Sequence, residues 1–199
     1  MLSYYLSFFL HLSFQYVEIQ SEEYPQHTFE TFERKPRILF VGDSMCVGMK
    51  DTFEKISNES GWEGISKCKV GSTSLQWREW LEPEIKHWQP DVVLISLGTN
   101  DGWIVDRIKK HSEVYSEIYK ISSSLGARTV WVEPPKISTK FVKGIEAVRY
   151  YIHRDIPIRF ETENYVTPPP GDGVHLTSNG YESWMIKLWS WMLKEDIIN

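Results

Sequence analysis

The chain has 199 residues and 23.4 kDa, 41% hydrophobic and 25% charged, which suits one domain with a proper core. A net charge of −5 and a pI near 5.7 argue against nucleic-acid and anionic-membrane partners. Cys46 and Cys68, the two cysteines, imply neither a disulfide framework nor a cysteine-based zinc site, and Cys46 reads as a half-buried packing thiol.

Residues 1–19 (MLSYYLSFFLHLSFQYVEI) are apolar and aromatic, yet lack a basic n-region and a small-x-small cleavage site. His11 interrupts the run, which is short and polar for a membrane span. A packed or partner-binding arm and a poorly formed signal or anchor both remain open for residues 1–36. A cytoplasmic location is favoured unless residues 1–19 act as a signal for secretion. Residues 20–36, with Glu22, Glu23, Pro25 and Pro36, read as a polar lead-in to a domain over 37–199.

From Arg37 onward, short apolar runs alternate with longer amphipathic segments. Strands are predicted at Ile38–Val41, Ile65–Val70, Val92–Leu97, Thr129–Glu133 and, more weakly, Ile156–Phe160. Helices are predicted at 46–58, 75–87, 104–125, 138–153 and 178–195. This alternation implies right-handed crossovers and a parallel sheet covered on both faces. Pro168-Pro169-Pro170-Gly171 reads as a rigid loop before the last helix.

Chemistry-bearing residues gather at the ends of these strands, where open α/β folds place their ligands. The first strand ends in Gly42-Asp43-Ser44, putting a serine at a helix start, where backbone N–H groups can stabilise an anion. The second ends in Val70-Gly71-Ser72-Thr73-Ser74 and the third in Leu97-Gly98-Thr99-Asn100-Asp101. The last helix is preceded by Asp172-Gly173-Val174-His175. Singly, Gly71 is also a plain turn glycine, Asn100-Asp101 a helix cap and Asp172 an Asx-turn. Their joint placement at strand ends is hard to explain by turn chemistry alone.

These four blocks resemble those of the SGNH superfamily, the GDSL-type esterases or acylhydrolases, over roughly residues 37–195. The resemblance implies a three-layer α/β/α, flavodoxin-like fold with a five-stranded parallel sheet. It also implies Ser44 as nucleophile, His175 as base and Asp172 as its orienting partner. The Ser44 and Gly71 N–H groups and the Asn100 side chain would form the oxyanion hole. The chemistry is self-consistent: a serine hydroxyl is weak until a base takes its proton, and an imidazole does so near neutrality. Asp43 and Asp101 read as structural. His11, His27, His87, His111 and His153 sit in segments without partners and default to surface or core positions. No metal-ligand spacing and no phosphate loop is present, so no cofactor is expected.

The expected activity is hydrolysis of a small acyl ester, with an acetylated carbohydrate as the favoured substrate. An O-acyltransferase using the same acyl-serine and a silent glycan-binding module of the same fold are the alternatives. Trp77 and Trp103 follow the second and third blocks and are candidates to overhang the site. Sugar stacking, an acyl pocket and plain core packing all remain open for them. Glu133, at the end of the fourth strand, is expected to line the rim.

Overall fold

The computed structural model describes residues 34–199, except 104–107, 139–141, 167–170 and the side chain of Ser112. The expectations for residues 1–33, for the predicted helical residues 104–107 and 139–141, and for the triple-proline loop lie outside the described residues.

The first strand, β1 (Arg37–Gly42), is buried beyond Arg37, as a continuous apolar run in a parallel sheet must be. It lies between β2 (Glu63–Cys68) and β3 (Val92–Ser96), and β4 (Arg128–Val132) and β5 (Arg159–Phe160) follow outward. All pairings are parallel, in the order β2-β1-β3-β4-β5. This is the flavodoxin-like order, whose topological switch lies between β1 and β3. The strand bearing Gly42-Asp43-Ser44 and the strand leading to Asn100 therefore border the crevice where such folds bind ligands.

Alternation along each strand sends side chains to two separate cores. Ile38, Phe40, Leu94 and Val132 pack against α1 (Ser44–Glu59) and α5 (Ser178–Lys194), through Met49, Phe53, Trp184 and Leu188. Leu39, Val41, Ile95 and Trp131 pack against α2 (Ser74–Trp88), α3 (Ile108–Ser124) and α4 (Val142–Asp155). The result is three layers, α/β/α, as expected. Among the described residues no helix is long and apolar enough to cross a membrane.

The abundance of tryptophan serves these cores. Of the nine, only Trp103 is exposed; the others are buried or packed against the two apolar layers. Gly102 and Gly144 touch backbone to backbone, since a Cβ on Gly144 would stand 1.8 Å from the Gly102 carbonyl oxygen. Glycine at both positions lets α4 sit directly on the short 3₁₀ turn Asp101–Trp103.

Three details depart from expectation. β2 starts and ends two residues earlier than predicted, because Ser72 N–H bonds back to Lys69 C=O and turns the chain. Val70 is thereby left outside the strand. β5 is only two residues long, since Ile156 still belongs to the end of α4 through its bond to Ile152 C=O, and Pro157 has no donor. Cys46 and Cys68 are joined as a disulfide, with Cα atoms 5.5 Å apart, so the reading of Cys46 as a packing thiol is corrected. The parallel register of β1 and β2 pairs Gly42 with Cys68, and that pairing delivers Cys68 to the first turn of α1.

Candidate active site

Ser44 is the first residue of α1, where the helix leaves its amides without intrahelical acceptors. Asp43 caps this helix: its Oδ1 accepts the Met45 N–H at 2.9 Å. Its own N–H donates to Ser96 C=O at 3.1 Å, which ties the Ser44 turn to the end of β3. Burial pushes the Asp43 carboxyl up to about 7, and the neighbouring Asp101 carboxylate adds to the shift. Asp43 is thus structural, as the sequence suggested.

The loop before α5 brings His175 to Ser44. His175 Nε2 lies 3.0 Å from Ser44 Oγ, across 131 residues of sequence. On the other side of the ring, His175 Nδ1 lies 2.8 Å from Asp172 Oδ2. Asp172 Oδ1 accepts the N–H groups of His175 and Val174, each at 2.8 Å. These donors hold the Asp172 carboxyl far below the usual range, the His175 amide most of all, with its ring next. An ionised carboxylate fixed in this way keeps the proton on Nδ1 and leaves Nε2 free to accept from the serine.

The loops after β2 and β3 flank the end of β1, with Lys69 N–H donating to Gly42 C=O at 2.9 Å. Gly71 adopts φ +77°, with open space where a Cβ would be, so its backbone is unobstructed. Asn100 is half-buried, and its Nδ2 donates to Ser72 C=O at 2.9 Å. One of its two N–H bonds is spent on orientation; the amide has a second to offer.

Two anticipated substrate residues lie elsewhere. Trp77 is only 3% exposed and packs in the core beneath α2, its Nε1 donating to Ser72 Oγ at 2.9 Å. Ser74, Trp77, Leu81 and Ile85 form the buried stripe of α2, and that 3.6-residue spacing was the signal that placed Trp77 inward. Glu133 is 0% exposed, not on a rim, with His153 Nε2 2.6 Å away and Arg149 and Arg159 at 3.5 and 3.7 Å. Burial outweighs these cations and raises its carboxyl to about 7. Trp103, 44% exposed, is the one of the three left at the surface, on the 3₁₀ turn directly after Asn100.

Two histidines assigned no partner do have one. His153 meets Glu133, as above, and His111 Nδ1 lies 3.0 Å from Asp101 Oδ1. Nothing local in the sequence couples residues 101 and 111, because they meet only once α3 packs beside the Asp101 turn. Among the described residues, no three His, Cys, Asp or Glu side chains gather as metal ligands would.

Residues 37–154, over half the chain, match the family described as protein of unknown function (DUF459). The chain belongs to this family. The match spans β1 to α4 and so includes Ser44, Gly71 and Asn100, whereas Asp172 and His175 lie beyond it. No curated protein matches the chain. Among solved structures, the native M. smegmatis aryl esterase is 15% identical with TM-score 0.68, covering 80% of this chain and 99% of its own. The psychrotrophic esterase EstA from Pseudoalteromonas sp. is 19% identical with TM-score 0.63, covering 81% and 99%. A GDSL-like lipase from Bacteroides thetaiotaomicron is 16% identical with TM-score 0.64, covering 80% and 88%. At such identities the likeness is one of fold. That fold is the SGNH, or GDSL-type, hydrolase architecture which the four sequence blocks resemble.

Proposed function

We propose that this protein is a serine esterase that hydrolyses a small acyl ester, with O-acetyl groups on carbohydrate as the substrate class. The supporting observation is the continuous relay from Ser44 Oγ to His175 Nε2 at 3.0 Å and from His175 Nδ1 to Asp172 at 2.8 Å. Esterases, acylhydrolases and a lipase among the structures of like fold support the general reaction class.

In this reading His175 takes the Ser44 proton as Oγ attacks the ester carbonyl, and Asp172 stabilises the imidazolium. The N–H groups of Ser44 and Gly71 and the Asn100 amide receive the developing oxyanion. The tetrahedral intermediate collapses as His175 returns the proton to the leaving alcohol. Water then enters by the same steps in reverse and releases the acid. The small-acyl part rests on the short path from each donor loop into α2 and the 3₁₀ turn, which leaves little chain for a long acyl tunnel. The carbohydrate part rests on Trp103 alone.

The test is hydrolysis of 4-nitrophenyl esters from acetate to palmitate, with acetate release from acetylated polysaccharides. Ser44→Ala is expected to abolish turnover and phosphonate labelling. Unchanged turnover in that variant would overturn the nucleophile assignment, and a peak at octanoate or longer would overturn the small acyl group.

A further inference from the structure

Beneath the two donor loops lies a second grouping of serine, histidine and aspartate. His111, 1% exposed, has its Nδ1 3.0 Å from Asp101 Oδ1 and 3.2 Å from Ser74 Oγ. It is not a second catalytic triad. Both contacts fall on the same ring nitrogen, so the ring cannot take a proton at one nitrogen while the carboxylate holds the other. Asp101, Ser74 and His111 are also all buried, which keeps an acyl group from Ser74.

What the group does reach is the scaffold of the oxyanion donors. Asp101 Oδ1 accepts the Ser74 N–H at 3.1 Å, and Tyr115 Oη donates to Asp101 Oδ2 at 3.1 Å. Burial and the adjoining carboxylate push the Tyr115 phenol well up, which keeps it a neutral donor. Asn100, the preceding residue, holds Ser72 C=O through its Nδ2. Two consecutive side chains from the end of β3 therefore grip Ser72 and Ser74, and Gly71 is bonded directly to Ser72. Gly71 lies inside the turn that Ser72 N–H closes onto Lys69 C=O at 3.1 Å, and the Asn100 and Asp101 contacts anchor the far side of that turn.

We propose that Asp101, held from beneath by His111 and Tyr115, is a positioning residue that locks the Gly71 N–H and the Asn100 amide into one oxyanion hole. This rests on the esterase reading above. Oxyanion donors act through preorganisation, and a shift of well under an ångström forfeits much of their effect. A buried carboxylate with three separate contacts is rigid enough to supply that order.

The test combines kinetics with amide exchange. Asp101→Ala should lower kcat on 4-nitrophenyl acetate by roughly 10- to 100-fold, with KM within about 2-fold, as for support realised only in the transition state. Asp101→Asn keeps an oxygen for the Ser74 N–H and should restore most of the loss. In an Asn100→Ala background, Asp101→Ala should cost about 10-fold less than in the parent, because one donor it holds is gone. Strict additivity, unchanged kcat, or a rise in KM alone would overturn the proposal. If Asp101→Ala fails to fold, Tyr115→Phe removes a single hydroxyl contact and should lower kcat about 3- to 10-fold at constant KM. An unchanged kcat in Tyr115→Phe would equally overturn it. Hydrogen exchange reads the clamp without turnover: the Ser72 and Ser74 amides should exchange about 10-fold faster in Asp101→Ala, or detectably faster in Tyr115→Phe. Unchanged exchange refutes the clamp, whereas faster exchange in a protein with no Ser44-dependent hydrolysis supports it and refutes the esterase reading.

Discussion

Reducing the Cys46–Cys68 disulfide should destabilise the protein by an amount the structure fixes. The bridge spans 22 positions of sequence, from the first turn of α1 to the last residue of β2. Closing a loop of that length removes denatured-state entropy worth roughly 3.4 kcal/mol at 25 °C in the chain-entropy account. For a domain of 150–250 residues, each kcal/mol shifts Tm by about 2–4 °C, so the expected fall is about 7–14 °C. Circular dichroism melts of the oxidised protein, of the reduced and alkylated protein, and of the Cys46→Ala/Cys68→Ala variant measure it. The β1–β2 ladder and the packing of Met49 and Phe53 do not require the S–S bond, so the folded spectrum should be retained in all three forms. Two outcomes refute the reasoning. Alkylation of both cysteines in denatured, unreduced protein would show that no bridge exists. A fall in Tm below about 2 °C would show that the bridge constrains little in the unfolded chain.

Asn100→Ala should cut kcat by roughly 10²–10³-fold, the usual cost of one lost oxyanion donor, with the fold intact; a change of only a few-fold would remove Asn100 from the hole. Asp43 gives a pH prediction with a definite sign. Its carboxyl is raised from 3.8 to about 7 in the folded state, so its contribution is present below pH 4 and is lost as pH rises through 7. Asp43→Asn should flatten that loss, on the order of 4 kcal/mol at most, when stability is measured by denaturant titration between pH 4 and 8. Parallel pH profiles for parent and variant would refute the assignment.

The parts of this fold that were legible in the sequence are those whose cause is local. Ile38–Val41 is apolar without a break because β1 has helices on both faces, and Gly42-Asp43-Ser44 ends it because a cap must follow. The same logic gave every strand and helix to within a few residues. Where a side chain's fate depended on which face its helix turned inward, reading it by proximity to a motif failed. Trp77 stands three residues after Ser74, on the buried stripe of α2, and it supports Ser72 from below. Glu133 follows a strand whose neighbours β5 and α4 close over it with Arg159, Arg149 and His153. The disulfide depended on register: nothing in residues 46 and 68 alone says that Gly42 pairs with Cys68.

These placements change the balance between the two parts of the proposed substrate. The sugar-binding argument began with Trp77 and Trp103, and burial of Trp77 leaves Trp103. The acyl-size argument does not depend on any of them. It depends on Gly71 being followed within three residues by α2, and Asn100 by the 3₁₀ turn that Gly144 of α4 pins in place. Val70, 70% exposed beside Gly71, and Trp103, three residues beyond Asn100, bracket the donor loops with apolar surface. Exposed apolar groups at that position match a short acyl chain as well as they match a sugar face. The acyl group and the alcohol part of the substrate are thus read from different residues, and either can fail without the other.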